Sequence, residues 1–371
     1  MSTTPPRARH SHIAARVRAS IMRSLIVSMI ITSRAHAQGM PPTLAQFLQQ
    51  SISLKGDEIT AASSGAPVVK VLDPSDQREV AVFGIVSIGV TRSFYVERAT
   101  DFPSALRDPT RLHFALFKDP AVVSDADAFS LPHDDLKDLA KCQPHSCKLK
   151  LPADAIARLR AILGPAAPSA DSLVNAYFRA RMVDYVTGYR ARGNTALLEY
   201  DDQRSADSAV QVFHALLSRS PYTYQYAPSL QRYLENYPAD RPAHAREAIY
   251  WSEDDLPGLK PTLTIAHEVV YAPSELPGST LIATKQLYAD HYLDGALDLT
   301  AVVDGAKVGT AADTGIYLVV LRRLHFDDLP SGGIMNVRGK VVGKLRDQMT
   351  ASLRSAKSRA EQAYGAAHES H

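Results

Sequence analysis

From Pro261 onward the hydrophobic period of the chain becomes two, and this change constrains the fold more than any other feature. Leu263, Ile265, His267, Val269 and Tyr271 alternate onto one face of a strand. Further runs cover 281–293, 296–303 and 315–326, with Asp294-Gly295 and Asp304-Gly305 between them. Asp-Gly between alternating runs signals a hairpin, because both residues accept the positive φ that tight turns need. The pattern predicts an antiparallel sheet followed by one long helix, from about Ile334 to Tyr364, with Ile334, Val337, Val341, Leu345, Met349 and Leu353 as its apolar stripe. Gly339 and Gly343 lie inside that helix, where each costs about 1 kcal/mol relative to alanine. Close packing, room for a ligand and fraying near the helix start are the competing reasons.

Upstream the pattern is mixed. A short amphipathic stretch (Leu44, Phe47, Leu48, Ile52) and a turn at Asp73-Pro74-Ser75-Asp76 precede a buried strand over 79–88, a helix over 92–106 and an apolar run over 112–117. Residues 152–250 read as helical, with helices at 152–163, 170–190, 205–217 and 228–237 punctuated by Pro221, Pro228 and Pro238. The nine tyrosines from Tyr177 to Tyr237 read as amphipathic rings lining a helix-packing seam. The expected organisation is a leader (1–37), one α+β domain assembled from 38–150 and 256–371, and an all-helical insertion over 151–255.

The leader reading rests on chemistry at the N-terminus. Ser24 to Ser33 forms a short apolar core behind an Arg-rich stretch, and Ala35-His36-Ala37 closes it as a small-x-small cleavage site. A membrane anchor needs roughly 20 apolar residues, about twice this core, and a mitochondrial-type presequence lacks so compact a hydrophobic block. Met22 ahead of the core is an alternative start. No Arg-Arg pair marks the twin-arginine route, and no cysteine follows the core for lipid attachment. The expectation is a periplasmic or secreted protein beginning at Gln38. The leader holds six of the 41 Lys and Arg and no acid, leaving 35 basic against 39 acidic residues, a formal −4. That balance gives no global case for nucleic acid as a partner.

The two cysteines, Cys142 and Cys147, sit in Lys-Cys-Gln-Pro-His-Ser-Cys-Lys. For an exported chain the simplest reading is a disulfide closing a tight loop. A metal site from Cys142, His145 and Cys147 is the competing reading and lacks a fourth ligand. No metal and no cofactor is expected. Signatures for phosphate loops, dinucleotide turns, zinc proteases and nucleophile elbows are absent or misspaced; Gly333 to Gly339-Lys340 is one residue too long and ends in Val341.

The order strand, helix, antiparallel strands, long C-terminal helix resembles the START-like (SRPBCC) helix-grip fold, over about 77–120 and 261–364. The resemblance implies a sheet wrapped on the terminal helix with an apolar cavity between them. The phrases from Lys285 to Tyr292 and at Tyr250-Trp251-Ser252 also look like those of exported bacterial proteins of unassigned function.

A two-residue turn at Asp294-Gly295 would set Leu293 opposite Ala296 and His291 opposite Asp298. Tyr288, Asp290 and Tyr292 would then share an inward face with Leu297 and Leu299. Arg322, the odd member of the set Ile316 to Phe326, would pair with Asp290, since a buried carboxylate is costly alone. His267 would add a third polar group. The predicted ligand-binding residues are therefore His267, Tyr288, Asp290, Tyr292 and Arg322. The expected function is binding of an apolar or amphipathic small molecule, such as a lipid, in the sheet–helix cavity. The alternatives are an enzyme of hydrolase or cyclase type using the same groups, with His291–Asp298 as a second polar pair, and an envelope interaction module built on the tyrosine-rich block. The basic face of the terminal helix (Arg338, Lys340, Lys344, Arg346, Arg354, Lys357, Arg359) allows a peripheral membrane contact.

Overall fold

The structure, a computed structural model, describes residues 40–107, 111–164, 170–204, 208–255, 259–306, 315–329 and 336–368. The apolar core and cleavage site of the leader lie outside the described residues. All described residues belong to one compact unit.

Eight antiparallel strands form a single open sheet: β1 (Val68–Leu72), β2 (Glu79–Ile88), β3 (Arg111–Leu116), β4 (Arg246–Asp254), β5 (Thr262–Tyr271), β6 (Ser279–Ala289), β7 (Leu293–Asp304) and β8 (Ile316–Phe326). Their spatial order is β1-β2-β8-β7-β6-β5-β4-β3. The α+β class and the strand-rich C-terminal half follow the sequence reading. β4 corrects it: Arg246–Asp254 lies within the stretch read as helical, yet it pairs along its length with β5 and holds β3 at the sheet edge. Its Ile249 and Trp251 alternate inward as a strand's should, behind the proline-rich turn that ends the helices.

Helices cover both faces. The last helix, α11 (Val337–His368), follows α1 (Pro42–Gln50), α2 (Gly56–Ser63), α3 (Arg92–Thr100), α4 (Phe102–Ala105), α5 (His133–Leu139), α6 (Ala153–Ile162), α7 (Ala170–Arg192), α8 (Ala209–Ser218), α9 (Pro221–Tyr226) and α10 (Pro228–Asn236). Asn336 starts α11 by accepting the Gly339 N–H on Oδ1 at 2.7 Å. The helix buries Val341, Leu345, Met349 and Leu353 against Val80, Val82, Val86 and Leu318. At Gly84 a Cβ would stand 2.8 Å from Leu353 Cδ1, so glycine is what lets α11 lie this close to β2. Gly343 has nothing within 4 Å of its would-be Cβ, so close packing is not its reason.

The opposite face carries the larger core. There α7, α8 and α10 pack Val186, Tyr189, Phe213, Leu216 and Tyr233 against Trp251, Ile265, Val269, Ala283 and Leu297. The helical block is therefore the second cover of the sheet. Its tyrosines 189, 200, 233 and 237 are buried in that seam and are unavailable as a partner surface. α1 and α2 close the same face further along, over Phe83, Ile85, Tyr317 and Leu321. Cys142 and Cys147 form the expected disulfide. No helix among the described residues is long and apolar enough to cross a membrane.

Candidate functional site

The turn between β6 and β7 decides where the predicted polar residues go. It falls at 290–292, with Tyr292 at φ +59°, and Asp294-Gly295 lies inside β7. Each half of that dipeptide has a packing role. Asp294 turns into a buried ion pair with Lys150 at 2.7 Å. A Cβ on Gly295 would stand 2.8 Å from Val212 Cγ1 of α8. The β6–β7 ladder runs Lys285↔Leu297 and Thr284↔Asp298, an odd shift from the expected register, and every side chain of one strand exchanges faces relative to the other.

Consequently Asp290 and Arg322 do not meet. Arg322 faces α11 and clasps Asp298, with Nε and Nη2 at 2.9 and 2.6 Å from Oδ2. Asp290 is buried at the turn, where its Oδ1 accepts the Leu263 N–H at 2.9 Å. Burial raises its carboxyl to about 7. Nor does His291 pair with Asp298: its Nε2 lies 3.2 Å from Asp135 Oδ2 and its Nδ1 3.2 Å from the Lys148 carbonyl. Burial opposes charging His291, but Asp135 outweighs it and raises the imidazole above its ordinary value. Tyr288 is buried and donates to the Lys150 carbonyl at 3.0 Å, while the Tyr292 hydroxyl accepts the Lys260 N–H at 3.2 Å.

Asp135, Asp290 and His291 bring three metal-ligand atoms within 4.8 Å of one another. Lys260 Nζ already sits 2.9 Å from Asp135 Oδ1. Together with the imidazole it supplies the positive charge this carboxylate requires. The cluster is complete as an ion-pair triad.

His267 faces the helical block, apart from the other four. Its Nδ1 lies 3.1 Å from the Tyr189 hydroxyl and its Nε2 3.2 Å from Glu247 Oε2, which also accepts from Tyr233. Burial lowers the imidazole's affinity for a proton in spite of Glu247. Across the ladder from it stands Lys285, which the sequence reading passed over. Lys285 is fully buried, donates Nζ to Asn194 Oδ1, and lies 3.9 Å from the centre of the Phe213 ring. Burial pulls the ammonium down to about 7. A lysine on the inward phase of a strand was the available signal, since Leu281, Ala283, Lys285 and Leu287 share its period.

A second buried network joins the sheet end to the helices. Lys150 meets Asp294, Asp294 lies 3.3 Å from His325, His325 meets Asp76, and Arg219 bridges Asp76 to Glu79, which Arg323 completes. These residues come from five separate stretches of sequence, so no local pattern announces them.

Two cavities flank the sheet. On the face of the helical block, a half-open chamber of about 250 Å³ is lined mostly by apolar groups, among them Phe47, Phe83, Tyr226, Leu230, Leu299 and Leu321. Phe47 of α1 roofs it, with edge contacts to Tyr222 and Tyr226 at 5.6 and 5.8 Å. On the α11 face, a cleft of about 320 Å³ is lined instead by charged and amide groups. The sheet–helix space is thus the polar one of the two, and the apolar space lies on the other side of the sheet. Of the five predicted residues, Arg322 alone lines the sheet–helix cleft, and Tyr288 lines a third hollow beneath α7.

Compared with family models, curated proteins and solved structures, the chain matches none.

Proposed function

We propose that the protein binds an apolar or amphipathic small molecule, of lipid-like chemistry, in the chamber roofed by α1. One observation carries this reading: a space of about 250 Å³ lined mostly by aliphatic and aromatic groups. Walls of this composition favour the apolar body of a guest. Helix-grip kinship belongs to the same proposal and is supported by the antiparallel meander closed by α11.

Export to the periplasm or beyond is the accompanying reading, supported by the leader pattern and by a disulfide that an oxidising compartment would keep. Lys340, Lys344, Arg354 and Arg359, exposed along α11, support peripheral contact with an anionic membrane that would deliver such a guest.

The test is native mass spectrometry of the protein from its own host, before and after organic extraction, beside an Ala301→Phe variant whose ring fills the chamber. A discrete extractable mass on the wild type, lost in the variant, is the expected result. Bare polypeptide in both, or an adduct that persists in the variant, refutes the chamber as the site.

A further inference from the structure

The cleft beneath α11 has a different chemistry and lies across the sheet from the apolar chamber. We propose that it binds a small uncharged polyhydroxy compound, of the monosaccharide or cyclic-polyol class. The cleft exists because of what the register puts in line. Glu268, Thr284, Asp298 and Arg322 are consecutive partners across β5, β6, β7 and β8, and Tyr250, Ala266 and Gln286 form the next row. Ala266 and Ala296 are too short to reach the helix, so a hollow of about 320 Å³ opens between the two rows and α11. From the helix side Leu345, Gln348 and Ser352 close it, at the i, i+3, i+7 spacing of one helical face.

Both cations that line this cleft are matched within the protein, while Asp255 lines it exposed. Arg322 is held by three contacts to Asp298, and Arg111 Nε lies 3.4 Å from Asp254 Oδ1. Asp254 also accepts from Ser252 at 2.7 Å and Thr264 at 2.9 Å. A charged guest would have to break one of these pairs and leave its partner uncompensated, which is costly in a half-buried site. Glu268 receives the Thr284 hydroxyl at 3.2 Å. Burial raises its carboxyl, against the pull of Arg111.

Two buried amide atoms are left over. Gln286 Nε2 on the sheet and Gln348 Oε1 on the helix have no hydrogen-bond partner among the described residues, and both side chains line this hollow. A buried donor or acceptor without a partner costs about 1–3 kcal/mol. Amide side chains on opposite walls, with hydroxyls between them, suit a guest that both donates and accepts at several points, and seating it requires the two buried amide atoms to turn toward the hollow. The Tyr250 ring and the methyls of Ala266, Ala296 and Leu324 offer the apolar contact that the C–H faces of such a ring need.

The experiment is saturation-transfer NMR on the full chain with glucose, galactose, N-acetylglucosamine and myo-inositol, and with glucuronate and inorganic phosphate as charged controls. At least one neutral compound should give a signal, and its Kd should rise tenfold or more in Gln286→Leu and in Gln348→Leu without a fall in thermal midpoint. If a leucine variant fails to fold, Gln286→Asn or Gln348→Asn, shortening the reach by one methylene, should show the same loss. Ala301→Phe, in the apolar chamber, should leave the signal unchanged. The proposal is overturned if none of the four neutral compounds binds, if their binding survives both glutamine substitutions within twofold, or if phosphate or glucuronate binds more tightly than all four.

Discussion

Replacing Lys285 by methionine should reverse the sign of its effect on stability as pH rises. In the unfolded chain the ammonium titrates near its ordinary 10.5, and in the fold at about 7. Below pH 7 both states are charged, and the fold bears the whole cost of holding a cation between Phe213, Tyr189 and a single amide oxygen. Three and a half units at 1.36 kcal/mol each come to about 5 kcal/mol. Attraction to the two rings shrinks this toward about 3 kcal/mol. Between pH 7 and 10.5 the unfolded state binds the extra proton, so wild-type stability rises with pH and the cost disappears. Methionine matches the volume and removes the cost, but it leaves Asn194 Oδ1 without its donor, a loss of about 1–3 kcal/mol at every pH. The variant should therefore be the more stable protein at pH 6 and the less stable one at pH 10.5. Urea unfolding of both proteins at pH 6, 8 and 10 measures the difference, and other titrations cancel from it. A difference that stays flat within 0.5 kcal/mol, taken as roughly the error of such fits, would refute the reading of Lys285 as a buried ammonium.

Asp290 gives the opposite slope. Its carboxyl titrates at about 7 in the fold against 3.8 in the unfolded chain, so wild-type stability falls as pH rises through that window. Asp290→Asn, which keeps an oxygen for the Leu263 N–H, should gain up to about 4 kcal/mol at pH 8 and almost nothing at pH 4 by denaturant titration; equal gains at both pH values would show that the carboxyl is not the source. Gly295→Ala should destabilise by about 1–3 kcal/mol through its clash with Val212, and the double variant with Val212→Ala should recover most of the loss. Removing the Cys142–Cys147 bridge as the paired alanine variant should cost about 2 kcal/mol, since the closed loop is short; a cost above about 4 kcal/mol would mean that the bridge shapes more than its own loop.

Strands and helices were legible where one period ran for ten residues or more, as in β2, β5, β8, α7 and α11. β4 was lost because only its Ile249, Trp251 and their neighbours carry the alternation, beside a tyrosine-rich helical stretch. The candidate site failed at one dipeptide. Asp294-Gly295 has the composition of a turn, but its glycine is required by a helix lying against it and its aspartate by Lys150, 144 residues away in sequence. Neither cause can be read within a local window. Once the register moved by an odd number, Asp290 and Arg322 were bound to part. In the row Glu268–Thr284–Asp298–Arg322 the sequence reading pairs Asp298 with His291 and Arg322 with Asp290 and leaves Glu268 and Thr284 unassigned, and only the true ladder lines the four up.

The strand order has a consequence for how the molecule is made. β3 to β7 form a meander whose pairings, from β4 onward, close between neighbours in sequence, so that part of the sheet can zip locally. β2 is different: apart from the short β1 its partner is β8, so Glu79 waits for His325. Until the last strand has emerged from the ribosome, Val80, Val82 and Val86 have no cover and β2 keeps an unpaired edge. The nascent chain therefore carries its most apolar strand exposed through most of synthesis, an invitation to chaperones and to aggregation alike. Truncation anywhere before Ile316 should leave a chain that never completes its sheet.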